Sequence, residues 1–240
     1  MNLRQAFSPE GVVAVVGAGG KKSTLYALAA ELDRAVVTAS VRIPPFEGQV
    51  ERLAVTDDPA TVVEDNDAWP LGLVPGRDGD RERYLGYDPA TIDALAEAID
   101  VPILVKADGA RTRWFKAPDV DEPQIPDSAS VVVPVASVKA VGEPLSEEHV
   151  HRPERIAALT DREIGDDIQP EDVVTVLTHE DGGLKGVPDD ACIVVLLNMV
   201  DDEELEATAR GIGGDLLDYV AINRVVLGRM DNGRVVDVLE

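Results

Sequence analysis

Lysine is the scarcest charged residue in this chain: six in 240 residues, against 46 Asp and Glu. Lys and Arg together number only 22, leaving a net charge of −24. Such a balance excludes a nonspecific nucleic-acid or anionic-membrane binder, because neutralising phosphates needs a basic surface. Cysteine is nearly absent. The single Cys192 has no partner for an internal disulfide, and its apolar surroundings predict a buried, inert thiol. There is no run of eighteen apolar residues, so no membrane-spanning helix is expected. The first residues, Met1 to Glu10, lack the apolar core of a signal peptide, and the expected location is cytoplasmic.

What is abundant is acid, and it is dispersed: Asp65, Asp67, Asp78, Asp80, Asp166, Asp167, Asp189, Asp190, Asp201 and Asp202 form no tail. A lysine-poor acidic coat of this kind fits a protein from a salt-loving organism, where molar salt screens the self-repulsion. Most of this acid is then solvated surface without catalytic meaning. The places where lysines persist carry more information. Lys21 and Lys22 are adjacent, and Lys106 and Lys116 flank a second stretch of interest.

Val12 to Val16 is a run of apolar, mostly β-branched residues that reads as a buried parallel strand. Gly17-Ala18-Gly19-Gly20-Lys21-Lys22-Ser23-Thr24 follows, and Leu25, Leu28, Ala29 and Leu32 then recur at helical spacing. A strand, a glycine-rich turn with Lys and hydroxyl residues, and a helix are the parts of a phosphate cradle. Glycines let N–H groups face an anion, the helix N-terminus adds its dipole, Lys adds a charge, and a hydroxyl can reach Mg2+. The pattern is imperfect: G-x-x-x-x-G-K-[ST] requires a glycine at Val15 and a hydroxyl at Lys22. The plain alternative is a tight βα turn.

Further strands are expected at 35–40, 52–56, 71–74, 101–105, 131–135, 192–197, 219–227 and 234–239. Pro134 points to an end or edge for the fifth of these eight. Helices are expected from Asp88-Pro89 to Ile99, at about 153–160 and 170–178, and from a cap at Asp201 to about Arg210. Alternating strands and helices without a linker predict one domain over 1–240. Its class is α/β: a P-loop NTPase-like three-layer sandwich with a mostly parallel sheet.

Asp108 ends an apolar strand, where open α/β sheets place ligands, and with a phosphate loop upstream it is a candidate Mg2+ carboxylate beside Ser23. An Asp-Gly turn is the alternative. Arg111, Arg113 and Lys116 follow and could neutralise phosphates or balance the acidic coat. His149 and His151 form an H-x-H pair with no third ligand near in sequence, which argues against zinc. Arg152 or His151 instead suits a loop-to-helix junction touching ligand.

Four blocks occur in order: Val16 to Lys21; Ala107 to Arg111 continuing to Lys116-Ala117-Pro118 and Glu122 to Pro126; Gly142 to Glu154; and Leu177-Thr178-His179 through Gly182 to Gly186. Together they resemble the YqeC family, accessory proteins of selenium-dependent hydroxylases, in a haloarchaeal-type member. The resemblance implies a P-loop nucleotide-binding protein that assists maturation of molybdenum hydroxylases. Three departures from the family pattern stand out. Lys22 replaces Thr, Lys106 replaces a Glu, and the hydroxyl-rich segment after the second strand is cut to Thr38-Ala39-Ser40. Asn198-Met199-Val200-Asp201 resembles the family's Asn-Lys-x-Asp, which in GTPases reads guanine, with Met199 replacing the Lys.

The expected site therefore has Lys21, Asp108 and Arg111 as its catalytic groups and Ser23 and Asp108 toward Mg2+. Gly17, Gly19, Gly20, Lys21, Lys22, Ser23, Thr24, Asn198, Asp201, His151 and Arg152 contact the nucleotide, ATP or GTP. The expected activity is slow NTP hydrolysis, with a molybdenum hydroxylase or its cofactor as partner. A non-hydrolytic carrier of molybdenum cofactor or nucleotide is the rival. A metabolite kinase would need an acceptor-side base that the sequence does not reveal.

Overall fold

A computed structural model describes residues 1–79 and 82–240. Asp80 of the acidic coat lies outside the described residues. The strands are β1 Val12–Gly17, β2 Val36–Ala39, β3 Arg52–Val55, β4 Leu71–Val74, β5 Arg77–Asp78, β6 Arg83–Tyr84, β7 Ile103–Lys106, β8 Phe115–Lys116, β9 Ala129–Ser137, β10 Val150–His151, β11 Cys192–Asn198, β12 Arg224–Arg229 and β13 Arg234–Leu239. The helices are α1 Leu3–Phe7, α2 Lys21–Glu31, α3 Pro59–Glu64, α4 Pro89–Ala98, α5 Pro153–Leu159, α6 Pro170–Thr178 and α7 Glu203–Leu217.

Nine strands form one sheet in the order β13-β12-β11-β9-β1-β7-β2-β4-β3. All its pairings are parallel except β12 with the edge strand β13. β1 is central and buried on both faces. Val13 and Val15 pack with Leu25 and Leu28 of α2, while Val12, Ala14 and Val16 pack with Ile92 and Leu95 of α4. The β11 residues Ile193, Val195 and Leu197 join Val173 and Leu177 of α6 and Ile212 and Leu216 of α7 in a third cluster. Two helical layers on one sheet are the three-layer α/β sandwich that continuous apolar strands require. No helix among the described residues is long and apolar enough to cross a membrane.

Pro134 is not at an edge. β9 lies inside the sheet, between β1 and β11. Its ladder to β11 pairs Val131 with Cys192 and Val132 with Ile193, then resumes at Val135 with Leu196. The missing Pro134 N–H falls in that break, so an interior strand tolerates the proline. The cap of α7 is Asp202, whose Oδ1 accepts from Leu205 N at 2.9 Å, one residue beyond the expected Asp201. Cys192 is only partly buried.

Strands β2, β3, β4 and β7 lie on one side of β1, and β9, β11, β12 and β13 on the other. The connection from β7 to β9 therefore crosses the carboxyl end of β1, the topological switch point where open α/β sheets hold ligands. Arg113 O accepts from Gly19 N at 2.9 Å, and Trp114 O accepts from Ser137 N at 3.0 Å, so this crossing is bonded to the glycine turn and to β9.

Candidate functional site

The turn from β1 to α2 is shaped by glycine. Gly17, Gly19 and Gly20 have φ of 87°, 86° and 133°, a region costly for residues with a Cβ. A Cβ on Gly17 would lie 2.3 Å from Val135 O, and one on Gly20 would lie 2.1 Å from Asn198 Nδ2. The turn's own donors are spent inside the protein. Gly17 N donates to Asp108 Oδ2 at 2.8 Å, Ala18 N to Val135 O at 2.9 Å, and Gly19 N to Arg113 O. Gly20, Lys21, Lys22 and Ser23 are different: among the described residues their N–H groups meet no protein acceptor. Unpaired N–H groups on the first turn of an eleven-residue helix are a ready anion site.

That turn opens into a cleft of about 600 Å3 between α2, the end of β2 and the β7–β9 crossing. Among the described residues eight Lys and Arg line it, including Lys21, Lys22, Lys106, Arg111 and Arg152, against only Asp121 and Glu122. In a chain with twice as many acids as bases this inversion is local and strong. It sets a positive potential where donors are free. Backbone strain gathers in the same place. Among the described residues five non-glycine positions have positive φ, and four of them (Arg111, Thr112, Arg152 and Met199) line the cleft. Left-handed residues cost free energy and persist where surrounding structure holds them, most often at binding sites.

Behind the cleft lies a buried charge cluster. Lys21 Nζ is 2.8 Å from Asp108 Oδ1 and also donates to Gly17 O. Lys116 Nζ is 3.0 Å from Asp108 Oδ2, 2.6 Å from Glu122 Oε2 and 2.7 Å from Gly109 O. Arg152 Nη1 reaches Glu122 Oε2 at 2.9 Å and Nη2 reaches Asp119 Oδ2 at 3.2 Å. Burial pushes the Asp108 carboxyl up, but the charges of Lys21 and Lys116 and the Gly17 N–H outweigh it and hold it below the usual carboxylate range. Glu122 is also held low, because Lys116 outweighs its desolvation. Burial lowers Lys21, with Asp108 opposing the shift. Lys106 is lowered to about 7, first by burial and then by Lys21. His151 is lowered to about 4, first by burial and then by Arg152 and Lys116.

A family model described as YqeC protein matches residues 13–154, more than half of the chain. The chain belongs to the YqeC family. It is 32% identical over 185 residues to the uncharacterized protein YqeC of Escherichia coli (strain K12), an alignment covering 74% of this chain and 71% of that one. No solved structure matches.

In this YqeC chain the cleft brings together Gly19, Gly20, Lys21, Lys22, Ser23, Arg111, His151 and Arg152, all expected from sequence. Gly17 and Asp108 stand just behind it. Thr24 is fully buried, with its Oγ1 donating to Gly20 O at 3.0 Å, so its hydroxyl serves the helix. Asn198 braces the turn. Its Nδ2 donates to Gly19 O at 2.7 Å and its Oδ1 accepts from Met230 N at 2.9 Å. Asp201 sits between Lys139 Nζ at 2.5 Å and Arg229 Nε at 3.0 Å, so each carboxylate oxygen is engaged by a cation, and Asp201 does not line the cleft. His149 is held by Glu143 at 3.3 Å and packs on Trp114, leaving His151 alone at the cleft. No group of three or more His, Cys, Asp or Glu among the described residues could hold a metal by itself. Both Asp108 oxygens face ammonium groups, so a Mg2+ bound directly to Asp108 would replace Lys21. The partly exposed Ser23 on the first turn fits better as a ligand to Mg2+ arriving on phosphates.

Arg42 and Arg83 also line the cleft and carried no motif signal; Met199 lines it too, at the position where it replaces the Lys of the Asn-Lys-x-Asp pattern. Lys106 and Glu122 did carry one: a lysine kept in a lysine-poor chain, and an acid inside a proline-rich family block.

Proposed function

We propose that this chain binds a nucleoside triphosphate, carried as its Mg2+ complex, in the cleft at the start of α2 and hydrolyses it slowly. The observation that carries the reading is the set of unpaired N–H groups of Gly20 to Ser23 opening into a cation-lined cleft at the switch point of a parallel sheet. Lys21, drawn from Asp108, and Lys22 hold phosphates. Ser23 Oγ reaches the metal, and Arg111 stabilises charge that develops on the transferring group. Asp108 keeps Lys21 charged and placed until phosphate takes it. Met199, with its thioether at the cleft wall, offers a surface for the base.

The family's resemblance to accessory proteins of molybdenum hydroxylases supports placing this nucleotide cycle in delivery or modification of the molybdenum cofactor for such an enzyme. A second reading, a non-hydrolytic carrier of that cofactor or a nucleotide, is favoured by the double engagement of Asp108 and by Lys22 at the hydroxyl position. Calorimetric binding and phosphate release with Mg–ATP and Mg–GTP in molar KCl, on wild type and Lys21→Ala, separate the two. Binding and release that both collapse in the variant support the hydrolase, and binding without release supports the carrier. No binding of either nucleotide would sink both.

A further inference from the structure

The buried cluster behind the cleft has more cations than anions. Lys21, Lys106, Lys116 and Arg152 face Asp108 and Glu122, and adding Asp119 with its partner Arg155 leaves the same excess of positive charge. The unbalanced member is Lys106. It is 6% exposed, and its Nζ donates to two backbone carbonyls, Arg42 O at 3.0 Å and Asp108 O at 2.7 Å. Among the described residues no carboxylate lies in ion-pair range of it, because Asp108 is shared by Lys21 and Lys116. With two carbonyls as its acceptors, this buried amine has one N–H left over and no anion to offset the charge of its protonated form, a cost that a ligand anion would remove. Lys106 also lines the cleft, next to the end of β2, on the same sheet face as α2: it pairs in register with Val15 and Ala39, whose side chains pack in the cluster that holds Leu25 and Leu28.

We propose that Lys106 is a second anion-binding residue of this cleft, so that its ligand carries at least two linked anionic groups. One sits on the N–H groups of Gly20 to Ser23, and the other is taken by the Lys106 ammonium on the β7 side. The inference rests on reading the cleft as a phosphate site and narrows the ligand to a di- or triphosphate chain. A monophosphate would leave Lys106 uncompensated.

The test uses inorganic phosphate, pyrophosphate and tripolyphosphate as probes, titrated calorimetrically into the full chain in parallel with Mg–ATP. Wild type should prefer tripolyphosphate to phosphate, and Lys106→Gln, which keeps donors for both carbonyls, should erase most of that preference. A loss of about tenfold or more is expected for tripolyphosphate, with phosphate within about twofold. Lysine-labelled protein gives a second readout that needs no variant. With six lysines in the chain, the Lys106 side-chain resonances should shift on adding tripolyphosphate and stay put with phosphate. Equal losses for both probes in the variant, or an unmoved Lys106 resonance at saturating tripolyphosphate, overturn the assignment while leaving the phosphate cleft intact. Failure of every probe and of Mg–ATP to bind wild type overturns both.

Discussion

Lys21 Nζ lies 2.8 Å from Asp108 Oδ1, joining the first residue of α2 to a carboxylate just past the end of β7. The pair is buried, and Asp108 is held as well by Lys116 at 3.0 Å and by the Gly17 N–H at 2.8 Å. The two partners are therefore not equivalent. Removing Lys21 leaves a carboxylate that still has a cation and a backbone donor. Removing the Asp108 charge leaves Lys21 without a carboxylate partner and leaves Lys116 with Glu122 and the Gly109 carbonyl.

Asp108→Asn is accordingly expected to destabilise the fold by about 3 kcal/mol or more, and Lys21→Met by about 1 kcal/mol or less. Urea unfolding at constant molar KCl measures both. Equal losses would show that the two lysines do not share the carboxylate as the distances imply.

Asn198 should act as a brace for the glycine turn. Asn198→Ala removes the partners of Gly19 O and Met230 N and is expected to cost about 2–3 kcal/mol. Gly20→Ala should be worse for binding than for stability, since its Cβ must displace the Asn198 amide and tilt the first turn of α2. Anion affinity of Gly20→Ala, set against its unfolding midpoint, checks this; unchanged affinity would remove Gly20 to Ser23 from the site.

Acid should weaken the fold partly through His151. Its folded value is about 4 against about 6.5 for the free side chain, so between these values the unfolded chain binds the proton and the folded chain does not. The contribution is present in full above about pH 6.5 and is lost as pH falls toward 4. Discounted for partial exposure of the ring, it amounts to about 1–2 kcal/mol. His151→Asn should lose less stability than wild type between pH 7 and pH 4.5 in matched denaturation curves. Identical pH slopes would mean that His151 is already free to protonate in the folded chain.

The net charge of −24 predicts that salt stabilises the fold. Raising KCl from about 0.1 M to about 2 M should raise the thermal midpoint, because exposed like charges are screened within a few ångströms at molar ionic strength. A flat midpoint would count against a salt-adapted surface. Phosphate binding should lose affinity over the same range, since its attraction is screened too.

What the sequence determined by itself was local. Val12 to Val16 could only be a strand buried on both faces, and the glycines after it could only be a turn before a helix. The nine sheet strands follow from such runs, because short apolar segments bounded by polar turns have few other ways to leave water. The Lys scarcity singled out Lys21, Lys22, Lys106 and Lys116, all of which meet at one site. Tertiary structure decided the rest. It placed Pro134 inside the sheet, where a break in one ladder absorbs the missing N–H. It spent the donors of Gly17, Ala18 and Gly19 on partners from β9 and the crossing segment, and left those of Gly20 to Ser23 open. It also made Asn198 a brace and left Lys106 without an anion. These outcomes depend on which strands become neighbours, and a hydrogen bond or an ion pair across the sheet has no period in the sequence from which to read it.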